Sequence, residues 1–223
     1  MKTASHPTAP DPYTFPAARP GLEEAAAAIP ADWPQAAAFA LDRARGEDDP
    51  RPVLFVATGE WMRERGRLSP RGLAGLEIWP ERLVLVRADR DIEALWALEE
   101  GLKSGAVAGA VGTIRTAAFV ATRRLDFAAR AGRATAVLLR AEAQGDLSVA
   151  RLRWRVSAEP SAAHPFDPAA PGAPRLTAEL VRRRDGPLGA WTMEQDDETG
   201  RLGLAAGLAD HGLVQGRRIH AAA

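Results

Sequence analysis

The chain has 223 residues, 46% of them hydrophobic, which fits one domain with a real core plus a tail or a small appendage. Equal numbers of acidic and basic residues, 29 of each, leave a formal net charge of zero and exclude a whole-molecule electrostatic footprint for nucleic acid or an acidic membrane surface. The absence of cysteine excludes disulfides, thiolate catalysis and cysteine-ligated zinc, and suits a reducing compartment.

Residues 1–20 hold five prolines and read as a flexible leader without the apolar segment of a secretory signal. A helix is expected after Asp32 and Trp33, with Pro34 in its first turn and Phe39, Ala40 and Leu41 as apolar bulk. The acidic stretch 46–52 breaks it. VLFVA (53–57) predicts a strand buried on both faces, 72–77 part of a short helix, and LVLVR (83–87) a second buried strand. Asp89 and Asp91 can cap a helix reaching about Ser104, with Ile92, Leu95, Trp96, Leu98 and Leu102 clustered on one side. Segment 107–114 is a third strand, 116–131 a helix and 134–139 a fourth strand. Strands alternating with helices predict a mostly parallel, doubly covered sheet. After Gly145 the pattern changes. Segments 149–156, 176–184, 190–194 and 201–204 alternate in the β manner and read as an antiparallel meander closing one sheet edge, interrupted by a Pro/Ala loop at 160–174. No apolar run approaches the ~18 residues of a membrane span. A cytoplasmic protein without membrane contact is expected. All but two of the cations (Lys2 and Lys103) are arginine, which with the abundant alanine reads as coding bias.

Chemistry is hard to find along this order. A phosphate-cradling loop needs GxxxxGK[ST], and neither that motif nor GxGxxG occurs. His6, His164, His211 and His220 fall in the leader, the loop and the tail, which suits neither a metal site nor a Ser-His-Asp triad. Glu60 follows the first predicted strand, where α/β enzymes place catalysts, but nothing nearby would bind a substrate, so a structural or partner-binding role is favoured. EQDDE (194–198) reads as a solvated hairpin turn in preference to a carboxylate metal site or a partner contact. Trp154 and Trp191 read as core residues of the meander. Arg182–Arg184 and Arg217–Arg218 are basic clusters too small to anchor DNA alone. In 116–131, Ala118, Ala121, Leu125 and Ala128 form a narrow core stripe. Phe119, Arg123 and Phe127 lie opposite it, as either an interface or a face covered by the meander.

The order of motifs resembles the RecA-like superfamily. VLFVATGEWM (53–62) is similar to the strand carrying that superfamily's catalytic glutamate, and 74–114 resembles the following strand, helix and Walker B strand. RRL (123–125) and TAVLL (135–139) resemble the next helix and strand. A closer resemblance, from about Ala31 to Leu204, is to the ImuA-like, SulA- and RecA-related SOS proteins. It rests on LWALEEGLKSGA (95–106), TRRL (122–125), RLRWRV (151–156) and WTMEQDDETG (191–200), the last similar to a W-x-x-E-x-DDETG ending.

That resemblance implies an SOS-induced accessory protein of a mutagenic translesion polymerase assembly. Its partners would be an ImuB-like, inactive Y-family protein, RecA and an error-prone C-family polymerase. Where the pattern places a P-loop, the chain has GLEEAAAAIPADW (21–33). The Walker B aspartate position falls near Gly112, the catalytic glutamate on Gly59 beside Glu60, and the relay glutamine near Arg140–Ala141. Two DNA-binding loops shrink to about 113–116 and 142–148. Together these imply a scaffold without ATP, cofactor, metal or catalytic residue, binding DNA weakly or indirectly. The expected architecture is a leader (1–20), a RecA-like α/β core (21–204, meander 149–204) and a flexible basic tail (205–223). Expected partner-binding residues are Trp96, Glu99, Glu100, Phe119, Arg123, Phe127, Arg182, Arg183, Arg184, Arg217 and Arg218, and a homo-oligomer is compatible with them. The rival expectations are a SulA-like cell-division inhibitor and a divergent DNA-binding ATPase.

Overall fold

The computed structural model describes residues 14–140, 147–164, 166, 167 and 169–205. Strands β1 (Gly21–Ala27), β2 (Val53–Thr58), β3 (Leu83–Ala88), β4 (Gly109–Thr113), β5 (Thr135–Arg140), β6 (Leu152–Glu159), β7 (Arg175–Arg183), β8 (Gly189–Gln195) and β9 (Leu202–Leu204) form one sheet. Their order is β3-β2-β4-β5-β1-β6-β7-β8-β9. Pairings from β3 through to β6 are parallel; those among β6, β7, β8 and β9 are antiparallel. The fold is the expected mixed α/β class, a mostly parallel sheet with an antiparallel C-terminal meander.

Alternation along the strands sends side chains into two cores, one on each face. On one face, α1 (Trp33–Ala44), α2 (Gly59–Arg65) and α3 (Pro70–Gly75) cover Phe55, Leu139 and Trp154, with Phe39 contributed by α1. On the other, α4 (Asp91–Lys103) and α5 (Phe119–Ala131) cover Leu22, Leu54 and Leu138, with Leu98 and Leu125 as the helices' own contribution. No helix among the described residues is long and apolar enough to cross a membrane.

β1 has no counterpart in the apolar-run reading, because alanine and glutamate are helix formers. It is nevertheless an interior strand, between β5 and β6, and six of its seven residues are buried. Ion pairs make that possible. Glu23, fully buried, accepts from Arg43 Nη2 (2.6 Å) and Nε (3.0 Å), Arg151 Nη2 (2.9 Å) and Trp154 Nε1 (3.1 Å). Glu24, on the opposite face, pairs with Arg153 at 2.7 Å. A buried charge is tolerable only with this completeness of partners.

Other elements depart from expectation in detail. β3 is the edge of the sheet, not a buried strand: Val84 and Leu85 are 43% and 60% exposed. In α4 the core stripe is Ala94, Leu98 and Leu102, whereas Ile92 and Trp96 face solvent. Asp91 does not cap that helix; its carboxylate accepts from the Thr116 backbone N–H at 2.9 Å and ties α4 to the loop before α5. α5 starts at Phe119, and its buried residues are Thr122, Leu125, Ala128 and Ala129, so Ala118 is exposed and Ala121 only half-buried. An additional helix, α2, follows β2 directly, its N-cap Thr58 accepting from Trp61 N.

The end of the leader is held in place. Phe15 packs on Trp154 (5.4 Å between ring centroids) and Trp191 (5.6 Å), and the Arg43 guanidinium stacks on both Phe15 and Trp154. Trp154 is core, and Trp191 is half-buried against it.

Candidate functional site

The C-terminal ends of the parallel strands are where α/β folds place ligands. Here β1 passes through Ala28 and Ile29 into a short 3-10 turn, Pro30–Asp32, and directly into α1. The turn is closed by Asp32, whose carboxylate accepts from the Ile29 backbone N–H at 3.3 Å. A nest of free amides for phosphate would need the opposite: glycines, and no carboxylate on the amides. At the end of β4, Gly112 packs beneath α4. A Cβ there would lie 2.3 Å from Leu98 Cδ1, so the helix occupies the space that an acidic side chain would need. The neighbouring Thr113 is buried on the α1 side of the sheet. Glu60 and Glu64 both pair with Arg115, at 3.0 and 3.3 Å, in an exposed network on the surface. Among the described residues no three His, Asp or Glu side chains are grouped to hold a metal ion. His164 accepts from the Phe166 and Asp167 amides and so organises its own loop.

A different surface stands out on the α4–α5 layer. Side chains on that layer's outer face include Ile92 (67% exposed) and Trp96 (63%) from α4, and Phe119, Val120 (65%) and Phe127 (72%) from α5. Arg123 is exposed on the same side of α5, one helical turn from both phenylalanines. Large apolar groups concentrated on one face with an interspersed arginine have the composition of an interface core. α5 packs on α4, β1 and β5, and the meander leaves its aromatic side open.

Of the expected residues, Trp96, Glu100, Phe119, Arg123 and Phe127 therefore reach one exposed layer. Glu99 does not belong with them. Its side chain is only 8% exposed and bridges Lys103 (2.6 Å) and Arg124 (2.6 Å), which fastens α4 to α5. Burial pushes its carboxyl up, but hydrogen bonds from Lys103 and Arg124 outweigh that and hold it below the ordinary range. Arg182 and Arg184 are exposed and Arg183 half-buried, at the β7–β8 turn beyond β1 and β6, so they form a separate patch. Arg217 and Arg218 lie outside the described residues. Ile92 and Val120 were missed. Ile92 is grouped in the sequence with Leu98 and Leu102 on one side of α4, and Val120 carries no signal until the rotation of α5 about its axis is known.

No family model matches the chain. Protein ImuA of Caulobacter vibrioides, in strains NA1000 / CB15N and ATCC 19089 / CIP 103742 / CB 15, is 33% identical over 216 residues, covering 89% of this chain and 84% of that protein. The chain belongs to the ImuA family. A crystal structure of SulA from Pseudomonas aeruginosa is also similar, with 23% identity and a TM-score of 0.40, covering 54% of this chain and 98% of that one.

The stretch whose W-x-x-E-x-DDETG pattern resembles the ImuA ending turns out to be a structural clasp. Trp191 joins the Phe15–Trp154 cluster, and Glu194 pairs with Arg175 at 2.5 Å. Asp196 accepts from the Thr199 backbone (2.7 Å) and hydroxyl (2.8 Å) and from Glu198 N (3.1 Å), setting the β8–β9 turn. The Thr199 carbonyl then accepts from Arg45, at the end of α1, which also donates to the Leu76 carbonyl. Gly200 has φ +59°, and a Cβ on it would stand 2.6 Å from the Gly75 carbonyl oxygen. Arg201 donates to the Gly46 carbonyl and faces Asp42. Burial raises the Asp42 carboxyl, with Arg201 and Arg45 pulling the other way. The acidic turn is thus spent on closing the meander against α1 and α3.

Proposed function

We propose that this chain is a non-catalytic, RecA-like accessory protein of SOS-induced mutagenic translesion DNA synthesis. It acts through protein contacts with an inactive Y-family polymerase-like partner and RecA, while DNA contact is weak or indirect. Membership of the ImuA family over nearly the whole chain supports the cellular setting. The β1–α1 connection without glycine or lysine, and the packing of Gly112 beneath Leu98, support a scaffold that works without ATP. The observation that carries the reading is the exposed aromatic and aliphatic side of α4–α5, centred on Trp96, Arg123 and Phe127. The test is capture of partners from DNA-damaged cells of the source organism by the full chain and by Arg123→Glu. The parent chain should recover the Y-family protein or RecA, and the folded variant should not. Recovery of the tubulin-like division protein alone would overturn the reading. ATP-dependent thermal stabilisation would overturn its non-catalytic part, since a ligand at about 100 times its Kd adds about 2.7 kcal/mol.

A further inference from the structure

We infer that the groove between α1 and the α2–α3 segment is a second docking site, shaped for an acidic peptide that inserts one apolar side chain. It lies on the face of the sheet opposite α4–α5 and does not depend on the function proposed for that layer.

The cavity measures about 240 Å³. Ala37 and Leu41 of α1 form one wall, Leu68 and Leu73 the other, and the edge-to-face pair Trp33–Trp61 (5.7 Å between centroids) lies at the groove as well. A dry cavity of about 150 Å³ already accepts benzene, whereas small-molecule and cofactor sites run to roughly 300–1,000 Å³. This volume matches one leucine or aromatic side chain better than a nucleotide. The Trp33 ring is almost completely buried, and its Nε1, like that of Trp61, has no acceptor among the described residues. Both nitrogens are themselves shut off from solvent, so polar recognition at this groove falls to its rim.

Charge selects the kind of peptide. Arg65 and Arg67 line the groove, and Arg63 and Arg71 lie on the same short segment. All four are exposed, and among the described residues no carboxylate lies within ion-pair distance of any of them. The segment's own acids, Glu60 and Glu64, are taken by Arg115. An apolar pocket with an uncompensated basic lip is complementary to an anchor residue flanked by aspartate or glutamate. Single-stranded nucleic acid would require an open aromatic platform. Trp33 offers none, because it is only 6% exposed and Arg65 sits over its ring at 5.3 Å.

The experiment is to pan a random dodecapeptide library on the full chain and measure the selected peptides by fluorescence anisotropy. Two variants serve as controls: Ala38→Trp, which fills the groove, and Arg65→Glu/Arg67→Glu, which reverses its lip. The selected sequences should combine acidic residues with one leucine, phenylalanine or tryptophan, and should bind roughly tenfold or more weakly to either folded variant and at high salt. Absence of any enriched sequence, a consensus lacking acids, or affinity unchanged in both variants overturns the inference. Binding of an oligothymidine probe with the same sensitivity to the variants would reassign the groove to nucleic acid and also overturn it. The Arg123→Glu variant leaves this groove intact, so the two surfaces can fail separately.

Discussion

Arg43 of α1 reaches into the sheet and grips Glu23 of β1 with two hydrogen bonds, at 2.6 and 3.0 Å, where the glutamate has no solvent exposure at all. Arg43 also donates to the Pro16 carbonyl and stacks on Phe15 and Trp154, so one guanidinium joins the leader, α1, β1 and β6.

Glu23→Ala should therefore cost about 3–5 kcal/mol, because it leaves a buried arginine without its counter-charge. Glu23→Leu combined with Arg43→Met should recover only part of the loss, since two apolar groups replace the desolvated pair while the Arg151 guanidinium and the buried Trp154 N–H stay without their acceptor. Denaturant unfolding of the single and double variants checks both. A single variant within about 1 kcal/mol of the parent would mean that the pair does not hold β1 in place.

Gly200→Ala should destabilise the chain by about 1–3 kcal/mol, through a left-handed backbone combined with a Cβ that has no room beside Gly75 and Leu76. The damage should appear first as faster amide exchange in β8 and β9. Unaltered protection there would contradict the clasp.

Trp96→Glu and Phe127→Glu should leave stability within about 0.5 kcal/mol of the parent, because both side chains already face water. Capture of partners should nonetheless be lost. Leu98→Ala, two residues from Trp96 but fully buried, should instead cost about 2–5 kcal/mol in thermal or chemical unfolding.

Acid should loosen the α4–α5 layer. The Glu99 carboxyl is held below its ordinary value, so its contribution is fully present above pH 4.5 and is lost as pH falls through the lower folded-state value. Stability measured from pH 6 downward should decline less in Glu99→Gln than in the parent below that point. Parallel curves would rule out Glu99 as a source of the acid sensitivity.

Much of the architecture was legible because it follows from local pattern. The runs 53–57 and 83–87, the turn residues after 184 and the β alternation after 149 report strands and their ends directly, and the absence of a GxxxxGK[ST] motif needs no structure to be seen. Aromatic side chains at 119 and 127 with Arg123 between them already marked one side of α5. What pattern could not give was anything that depends on neighbours distant in the chain. The segment GLEEAAA becomes an interior strand because Arg43 and Arg151, 20 and 128 residues away, neutralise Glu23. Ile92 and Trp96 become surface, and Glu99 becomes an interhelical brace, because the sheet selects which arc of α4 it covers, and a helix with apolar residues on more than one arc leaves that choice open. The DDETG turn, acidic and solvated by composition, is a clasp because Arg45 reaches its Thr199 carbonyl from the end of α1 and the adjoining Arg201 reaches back to Asp42 and the Gly46 carbonyl. Local propensity and periodicity set which segments form elements, since those energies come from adjacent residues. Which charges are paired and which apolar faces stay open is decided only when the elements pack, because both depend on desolvation by partners that the chain order does not reveal.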